Sequence, residues 1–163
     1  MSLGLIENDR AVLGVIDLPF LGQRFKAGAG HGTYADGSRI AVSRTKVLSE
    51  AIFGMGDYAV GEHAQQRNVR RLALTGRLAE NVLRVRMLGS AALDLVWVAS
   101  GKLDASIALS NHPWDMVAGV AIAREAGADV VDINGTAHDL RSAATIAVTP
   151  GLRDPVLGLV SAL

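Results

Sequence analysis

The sequence predicts an α/β protein in which an antiparallel meander is followed by a lobe of alternating strands and helices. Up to Ser43, short apolar runs are separated by tight turns, which is typical of antiparallel strands with short connections. Beyond Ser43, strand-like runs alternate with helix-like segments, which is typical of α/β architecture. We therefore expect two parts that share a core: residues 1–45 form the antiparallel-sheet lobe, and residues 46–163 form the α/β lobe.

The meander opens with a hairpin. Two apolar runs, Ser2–Glu7 and Ala11–Ile16, flank the turn-forming pair Asn8-Asp9, and this arrangement favours a β-hairpin. The segment Leu18–Gly22 contains a proline and ends the second strand. Further strands are expected at Gln23–Ala27 and Arg39–Val42, with glycine-rich turns between them.

The helices of the second lobe carry local signals. Ser90 is a suitable N-cap for a helix that Gly101 ends, and Pro113 suits the first turn of a helix that Gly127 ends. An earlier helix is indicated by apolar residues at helical spacing, namely Val69, Leu72, Ala73 and Gly76. Helices are expected over Glu62–Ala79, Ser90–Ser100, Pro113–Ala126 and Asp154–Leu163, and strands over Val47–Phe53, Val82–Leu88, Ala105–Leu109, Asp129–Ile133 and Thr145–Val148.

Composition excludes several classes of function. Basic and acidic residues number 16 each, so the chain lacks the positive charge typical of nucleic-acid-binding proteins. The absence of cysteine excludes disulfides, thiolate metal sites and a cysteine nucleophile. The first residues lack the basic segment of a signal peptide, and no apolar run reaches the roughly 18 residues that a membrane span requires. We therefore expect a cytoplasmic protein with neither nucleic-acid nor membrane partners.

The glycine-rich run Gly28–Gly32 has two interpretations. A dinucleotide-binding loop must follow a strand and open a helix, but the residues after Gly32 are typical of a turn, and Thr33 stands where a third glycine would be. A hairpin corner is therefore favoured over the loop of a nucleotide-binding oxidoreductase. The histidines show no metal-ligand spacing and are expected on the surface or in turns, with His112 singled out because it adjoins the strongest motif; they are His31, His63, His112 and His138.

That strongest motif is the segment Ser110–Gly127. Asn111 is a suitable helix cap, and Asp115 falls in the first turn, near the positive end of the helix dipole. Asp115 either only complements that dipole or binds a ligand at a strand-to-helix junction, where α/β proteins place their ligands. The buried stripe of this helix is expected to consist of Trp114, Val117, Ala118, Ala121 and Ile122.

A second candidate site lies where the preceding strand meets its helix. Gly89, Ser90 and Ala91 are small enough for a ligand to approach closely, and the N–H groups of a first helical turn favour anions. Tight packing with Ser90 as a cap is the alternative, and both interpretations can hold together. Asp94 and Asp104 are expected as cap or surface residues rather than as ligands.

Together these segments resemble the inositol monophosphatase family of Mg²⁺-dependent, Li⁺-sensitive sugar phosphatases, most closely its actinobacterial inositol-1-monophosphatase type. The resemblance implies an inositol-monophosphatase-like layered α/β sandwich. It also implies N-terminal truncation to about the C-terminal three fifths of a member, because the family's Asp-Pro-(Ile/Leu)-Asp-Gly-Thr motif and its upstream metal-binding glutamate do not occur here. The residues that carry the resemblance are Leu88–Ala105, Pro113-Trp114-Asp115 and Glu125-Ala126-Gly127, with further similarity at Gly14–Pro19 and Gly30–Ser43.

The resemblance implies roles for the candidate residues. Asp115 would be a catalytic residue and a Mg²⁺ ligand, while Gly89, Ser90 and Ala91 would bind inositol monophosphate or a related sugar phosphate, Ala91 through its backbone N–H. Ala108 departs from the family, because many inositol-preferring members have there a glutamate that contacts a sugar hydroxyl. A single carboxylate holds Mg²⁺ poorly. We therefore expect impaired activity from this chain alone, or alternatively a non-catalytic sugar-phosphate-binding or assembly remnant.

The resemblance has one further implication, for assembly. In the family, N-terminal helices cover one face of the antiparallel sheet. Without them, alternate residues of Leu3–Ile6 and Val12–Ile16 would leave an apolar face exposed. We expect a homo-oligomer that covers this face.

Overall fold

A computed structural model describes residues 1–110 and 112–161. Their first sheet is antiparallel throughout, and its strands lie side by side in chain order. Asn8 and Asp9 form the first turn with positive φ angles of 50° and 60°, so the predicted hairpin is confirmed. The strands of this sheet are β1 (Ser2–Glu7), β2 (Arg10–Leu18), β3 (Gln23–Gly28), β4 (Gly32–Ala35) and β5 (Ser38–Arg39).

The second sheet is mixed and has the strand order β7-β6-β8-β10-β9. The strand β6 runs parallel to both β7 and β8, whereas β10 runs antiparallel to both β8 and β9. The carboxyl ends of β6 and β8 therefore meet at one edge of the sheet, which is where open α/β sheets bind ligands. The strands of this sheet are β6 (Ile52–Met55), β7 (Arg84–Arg86), β8 (Ala105–Ala108), β9 (Asp129–Val131) and β10 (Thr145–Val148).

Helices and sheets alternate in layers. The helices are α1 (Ala64–Asn81), α2 (Ala91–Ala99), α3 (Pro113–Glu125) and α4 (Arg153–Ser161). On β10, Ile146 belongs to a buried cluster with residues of α1 and α4, while its neighbour Ala147 belongs to a cluster with residues of α2 and α3. Residues of α3 also pack against Ile16 and Phe25 of the first sheet. Thus α2 and α3 lie between the two sheets, and the predicted layered α/β fold is confirmed.

The first sheet approaches α3 so closely that two of its strands carry glycine at the contact. A Cβ atom on Gly14 would lie 2.9 Å from the carbonyl carbon of Ala118, and one on Gly4 would lie 2.8 Å from the backbone nitrogen of Ala118. Real Cβ contacts with backbone atoms do not come this close. The docking of α3 on the sheet therefore requires glycine at these places.

Two predicted strands are wrong in their extent. The expected strand Arg39–Val42 holds only Arg39, whereas Gly32–Ala35, expected to be a turn, is a strand. The reason is that Thr33 is fully buried and donates a hydrogen bond from Oγ1 to the carbonyl of Ile122 at 3.0 Å. The expected strand Val47–Phe53 starts only at Ile52, because a 3₁₀ turn precedes it.

The inward face of α1 also differs from the prediction. Val69 and Leu72 are 62% and 59% exposed, whereas Leu74 and Leu78 are fully buried. The spacing of each pair fits one face of a helix. Leu74 and Leu78 are the buried pair because they pack against the second sheet. The division into residues 1–45 and 46–163 stays a proposal. It separates the two sheets, although α3 of the second part packs against the first sheet.

In the described part of the chain, no helix is long and apolar enough to cross a membrane.

Candidate functional site

A pocket of about 330 Å³ lies where the carboxyl ends of β6 and β8 meet the first turns of α2 and α3. Its lining includes Gly89, Ser90 and Ala91 at the start of α2 and Asp115 in the first turn of α3. The structure therefore brings both candidate sites of the sequence into one pocket. Whether these residues bind a metal or a substrate stays a prediction.

The first turn of α2 is built as the sequence predicts. Ser90 is the N-cap, and its Oγ accepts a hydrogen bond from the backbone N–H of Leu93 at 3.4 Å. Gly89 has a φ of 71°, a left-handed conformation that residues with a Cβ rarely adopt. This glycine lets the chain turn sharply into α2 and keeps the pocket wall free of a side chain.

The first turn of α3 is only partly as predicted. Pro113 begins the helix, and Asp115 lies in its first turn with an exposed side chain. The predicted cap Asn111 lies outside the described residues, and His112 occupies the N-cap position.

Trp114 was expected in the buried stripe of α3, and this prediction is wrong. Its side chain is 76% exposed and stacks on the ring of His112 with 5.0 Å between ring centroids. Trp114 precedes the part of α3 that is enclosed by α2 and the first sheet, so it lines the pocket instead. The other four residues of the predicted stripe are buried; they are Val117, Ala118, Ala121 and Ile122.

Asp94 is not the cap or surface residue that the sequence suggested. It is only 3% exposed, and its Oδ1 has no hydrogen-bond partner within residues 1–110 and 112–161. A Cβ on Gly54 of β6 would lie 3.3 Å from this oxygen. Burial and, as the smaller cause, the negative charge of Asp57 together raise the pKa of Asp94 to about 7. The carboxyl group of Asp94 thus changes charge near neutral pH.

Asp104 and His138 are also buried, contrary to expectation. Asp104 accepts hydrogen bonds from the hydroxyl of Ser43 at 2.6 Å and from the backbone N–H of Ile52 at 2.7 Å. It therefore fixes the segment that connects the two sheets. His138 contacts the hydroxyl of Thr145 at 2.9 Å, and desolvation, followed by the nearby positive charge of Arg124, lowers its pKa.

Sequence reasoning missed Asp57, which lines the same pocket. Asp57 follows Gly54-Met55-Gly56 at the end of β6. The available signal is an acidic residue two positions beyond a strand-like run, after Gly54 and Gly56. The local sequence does not show which strands are neighbours of β6, so this signal alone does not place Asp57 in the pocket.

The described part of the pocket contains carboxylate groups but no set of three side chains grouped around one metal position. Carboxylate oxygens are the ligands that Mg²⁺ prefers, and Asp57, Asp94 and Asp115 all line this pocket. Nevertheless, in the ranges 1–110 and 112–161 no three histidine, aspartate or glutamate side chains are placed to hold one metal ion. The three carboxylates thus line one pocket without being grouped around a common metal position in these ranges.

The run Gly28–Gly32 is a hairpin corner between β3 and β4, as the sequence favours. The backbone N–H groups of Gly30 and Gly32 each donate to the carboxylate of Glu125, at 3.1 Å. These amides already bind an internal anion, and the loop opens no helix. The interpretation as a dinucleotide-binding loop is therefore not supported by its context.

The chain is similar to a known protein family over nearly its whole length. The model of the inositol monophosphatase family matches residues 1–160. The chain is 32% identical over 158 residues to the inositol-1-monophosphatase ImpA of Mycolicibacterium smegmatis, covering 97% of this chain and 57% of that protein. It is 34% identical over 137 residues to the fructose-1,6-bisphosphatase/inositol-1-monophosphatase of Thermotoga maritima, covering 83% of this chain and 49% of that protein.

Solved structures show the same similarity. The Thermotoga maritima IMPase superposes with a TM-score of 0.88 at 31% identity, over 99% of this chain and 60% of that one. An inositol monophosphatase from Anabaena superposes with a TM-score of 0.89 at 30% identity, over 99% of this chain and 63% of that one. The chain thus spans less than two thirds of the length of these relatives. By sequence and by fold, it belongs to the inositol monophosphatase family.

Proposed function

We propose that this chain belongs to a Mg²⁺-dependent phosphomonoesterase that hydrolyses inositol monophosphate or a related sugar phosphate. The observation that carries the proposal is the single pocket lined by Gly89, Ser90, Ala91 and Asp115. Two relatives are named as inositol-1-monophosphatases, one of them also as a fructose-1,6-bisphosphatase. Both names describe phosphate esters of polyhydroxylated compounds, which supports a sugar phosphate as the substrate.

In this proposal each side of the pocket has its own task. Asp115 supplies one carboxylate for Mg²⁺, close to the N-terminus of α3. Across the pocket, Gly89 lets the substrate approach the backbone, and the backbone N–H of Ala91 donates to the substrate in the first turn of α2. Ser90 keeps that turn in place through its cap. With one proposed carboxylate ligand for Mg²⁺, we expect weak activity from this chain alone.

The alternative is a non-catalytic sugar-phosphate-binding or assembly remnant. One observation favours it: the described ranges contain no three-residue group placed to hold a metal ion. A single carboxylate contributes little to binding Mg²⁺, since this ion loses its hydration water reluctantly. Binding of a sugar phosphate requires fewer protein groups than its hydrolysis does.

Substitution of Asp115 distinguishes these functions. We expect Asp115→Asn to reduce Mg²⁺-dependent phosphate release from inositol 1-phosphate by at least about 100-fold, since even changes to groups behind a metal ligand cost about 10–100-fold. Phosphate release is measured with and without Mg²⁺, and Asp9→Asn in the exposed first turn is the matched control.

Each other result of this experiment has a definite meaning. Unchanged release from the Asp115→Asn variant would remove Asp115 from the mechanism. Release at background level from the unsubstituted chain, with retained binding of inositol 1-phosphate, would establish the non-catalytic alternative instead.

We also propose a homo-oligomer that covers the outer face of the first sheet. On that face Leu3 pairs with Val15, and Leu5 pairs with Leu13; the side chains of Leu3 and Leu5 are 58% and 55% exposed. Such an apolar face favours association. Light scattering is expected to give at least twice the mass of one chain, and a monodisperse monomer would contradict the proposal. A cytoplasmic location stays a prediction.

A further inference from the structure

Asp57 stands one residue beyond the pairing of β6 with β8. The backbone N–H of Gly56 donates to the carbonyl of Ile107 at 3.0 Å, so the chain is still fixed to the sheet where Asp57 begins. A Cβ on Gly89 would lie 3.3 Å from Oδ2 of Asp57. The carboxylate of Asp57 therefore faces the start of α2, on the side of the pocket where the substrate is proposed to bind.

The carboxylate of Asp57 is available to a ligand. Its side chain is exposed, and within residues 1–110 and 112–161 it forms no ion pair or hydrogen bond. Beside it the pocket wall consists of Gly56 and Ala108, neither of which has a polar side-chain atom. The carboxylate of Asp57 is thus an exposed hydrogen-bond acceptor beside an apolar part of the pocket wall.

The negative charge beside Asp57 determines which group of a sugar phosphate binds there. The buried Asp94 lies close behind, against Gly54, and its Oδ1 has no partner in the described chain. Two neighbouring carboxyl groups disfavour a phosphate, whereas hydroxyl groups form strong, charge-assisted hydrogen bonds with a carboxylate. If Asp115 holds a cation as proposed above, the phosphate would lie on the side of Asp115, and the hydroxyl groups of the substrate would lie on the side of Asp57.

We propose that Asp57 is a specificity-determining residue that accepts hydrogen bonds from hydroxyl groups of the substrate and so selects phosphate esters of polyols. This inference rests on the proposed function, whose substrate class it narrows. A carboxylate has two oxygens and accepts two adjacent hydroxyl groups at once. Esters with vicinal hydroxyl groups consequently bind better than simple aryl esters.

The test compares three ligands by titration calorimetry in the presence of Mg²⁺. These are inositol 1-phosphate, which contains both groups, free myo-inositol, which contains only the polyol, and phenyl phosphate, which contains only the phosphate. We expect Asp57→Ala to weaken binding of both inositol compounds by about 10-fold or more, since hydrogen bonds to charged groups are among the stronger ones. Binding of phenyl phosphate should change by less than about twofold. The isosteric Asp57→Asn should be intermediate, and Asp9→Asn should match the unsubstituted chain.

The outcomes separate this inference from the proposed function. If Asp57→Ala weakened the binding of all three ligands equally, or of none, the proposed role of Asp57 would be wrong. If binding were unchanged but the variant were less stable to unfolding, Asp57 would only interact with the dipole of α2. Asp57-dependent binding of free inositol without binding of either phosphate would support the inference and contradict the phosphatase. Binding of phenyl phosphate alone would contradict both the role of Asp57 and the proposed sugar phosphate substrate.

Discussion

Replacing Gly14 with alanine is expected to lower the free energy of unfolding by about 3 kcal/mol, at the upper end of what overpacking usually costs. The added Cβ would overlap the carbonyl group of Ala118. Because this group belongs to the backbone of a helix, it cannot rotate away, and either α3 or β2 has to shift. Urea denaturation of the variant and the unsubstituted chain measures the difference.

The matched control is the same substitution at Gly76 in the exposed part of α1. There a Cβ meets no atom within 4 Å, and alanine in a helix is favoured over glycine by about 0.8–1 kcal/mol. Gly76→Ala should therefore stabilise the protein. If Gly14→Ala were as stable as the unsubstituted chain, α3 would not rest on β2 at this point, and the described layer contact would be wrong.

Asp94→Asn is expected to stabilise the protein on the order of 2–4 kcal/mol at pH 8, in buffer without metal ions. Burial raises the pKa of Asp94 to about 7 from an ordinary value of 3.8. Between these values the folded protein keeps a proton that the unfolded chain has lost, so rising pH weakens the fold until about pH 7. Asparagine is neutral at every pH and avoids this loss.

The pH dependence is the signature to measure. The stability difference between the Asp94→Asn variant and the unsubstituted chain should be small near pH 4, grow toward pH 7 and stay constant above it. His138, whose lowered pKa destabilises the fold as the pH drops below 6.5, affects both proteins equally and cancels. A difference that does not change with pH would mean that Asp94 is not held in its neutral form by burial.

Local signals account for the parts of the fold that the sequence predicts. Ser90 caps α2, Pro113 starts α3, and Gly101 and Gly127 follow helix ends with φ angles of 68° and 97°. Each of these signals acts within a few residues, so it can be recognised without knowing the tertiary structure.

The predictions are wrong where burial depends on contacts between residues that are far apart in the sequence. Leu72 and Leu74 are equally apolar, and only packing against the second sheet buries Leu74. Likewise Asp94 is buried because α2 packs on the strand that carries Gly54.

The same reasoning applies to the candidate site. The sequence indicates Asp115 and Gly89–Ala91 as candidates in two separate segments, and the family resemblance implies that they act together. In the structure they line one pocket. Asp57 was not identified, because its place beside Gly89 depends on the order of strands in the second sheet. That order follows from long-range pairing rather than from local sequence.

The bonds from Gly30 and Gly32 to Glu125 have a consequence for the order of events during synthesis. The donors and the acceptor are 95 and 93 residues apart along the chain. Since translation proceeds from the N-terminus, the corner between β3 and β4 leaves the ribosome long before the carboxylate that holds it. Its two amides stay hydrated until α3 has been made and has docked, so the corner of this early hairpin is completed late.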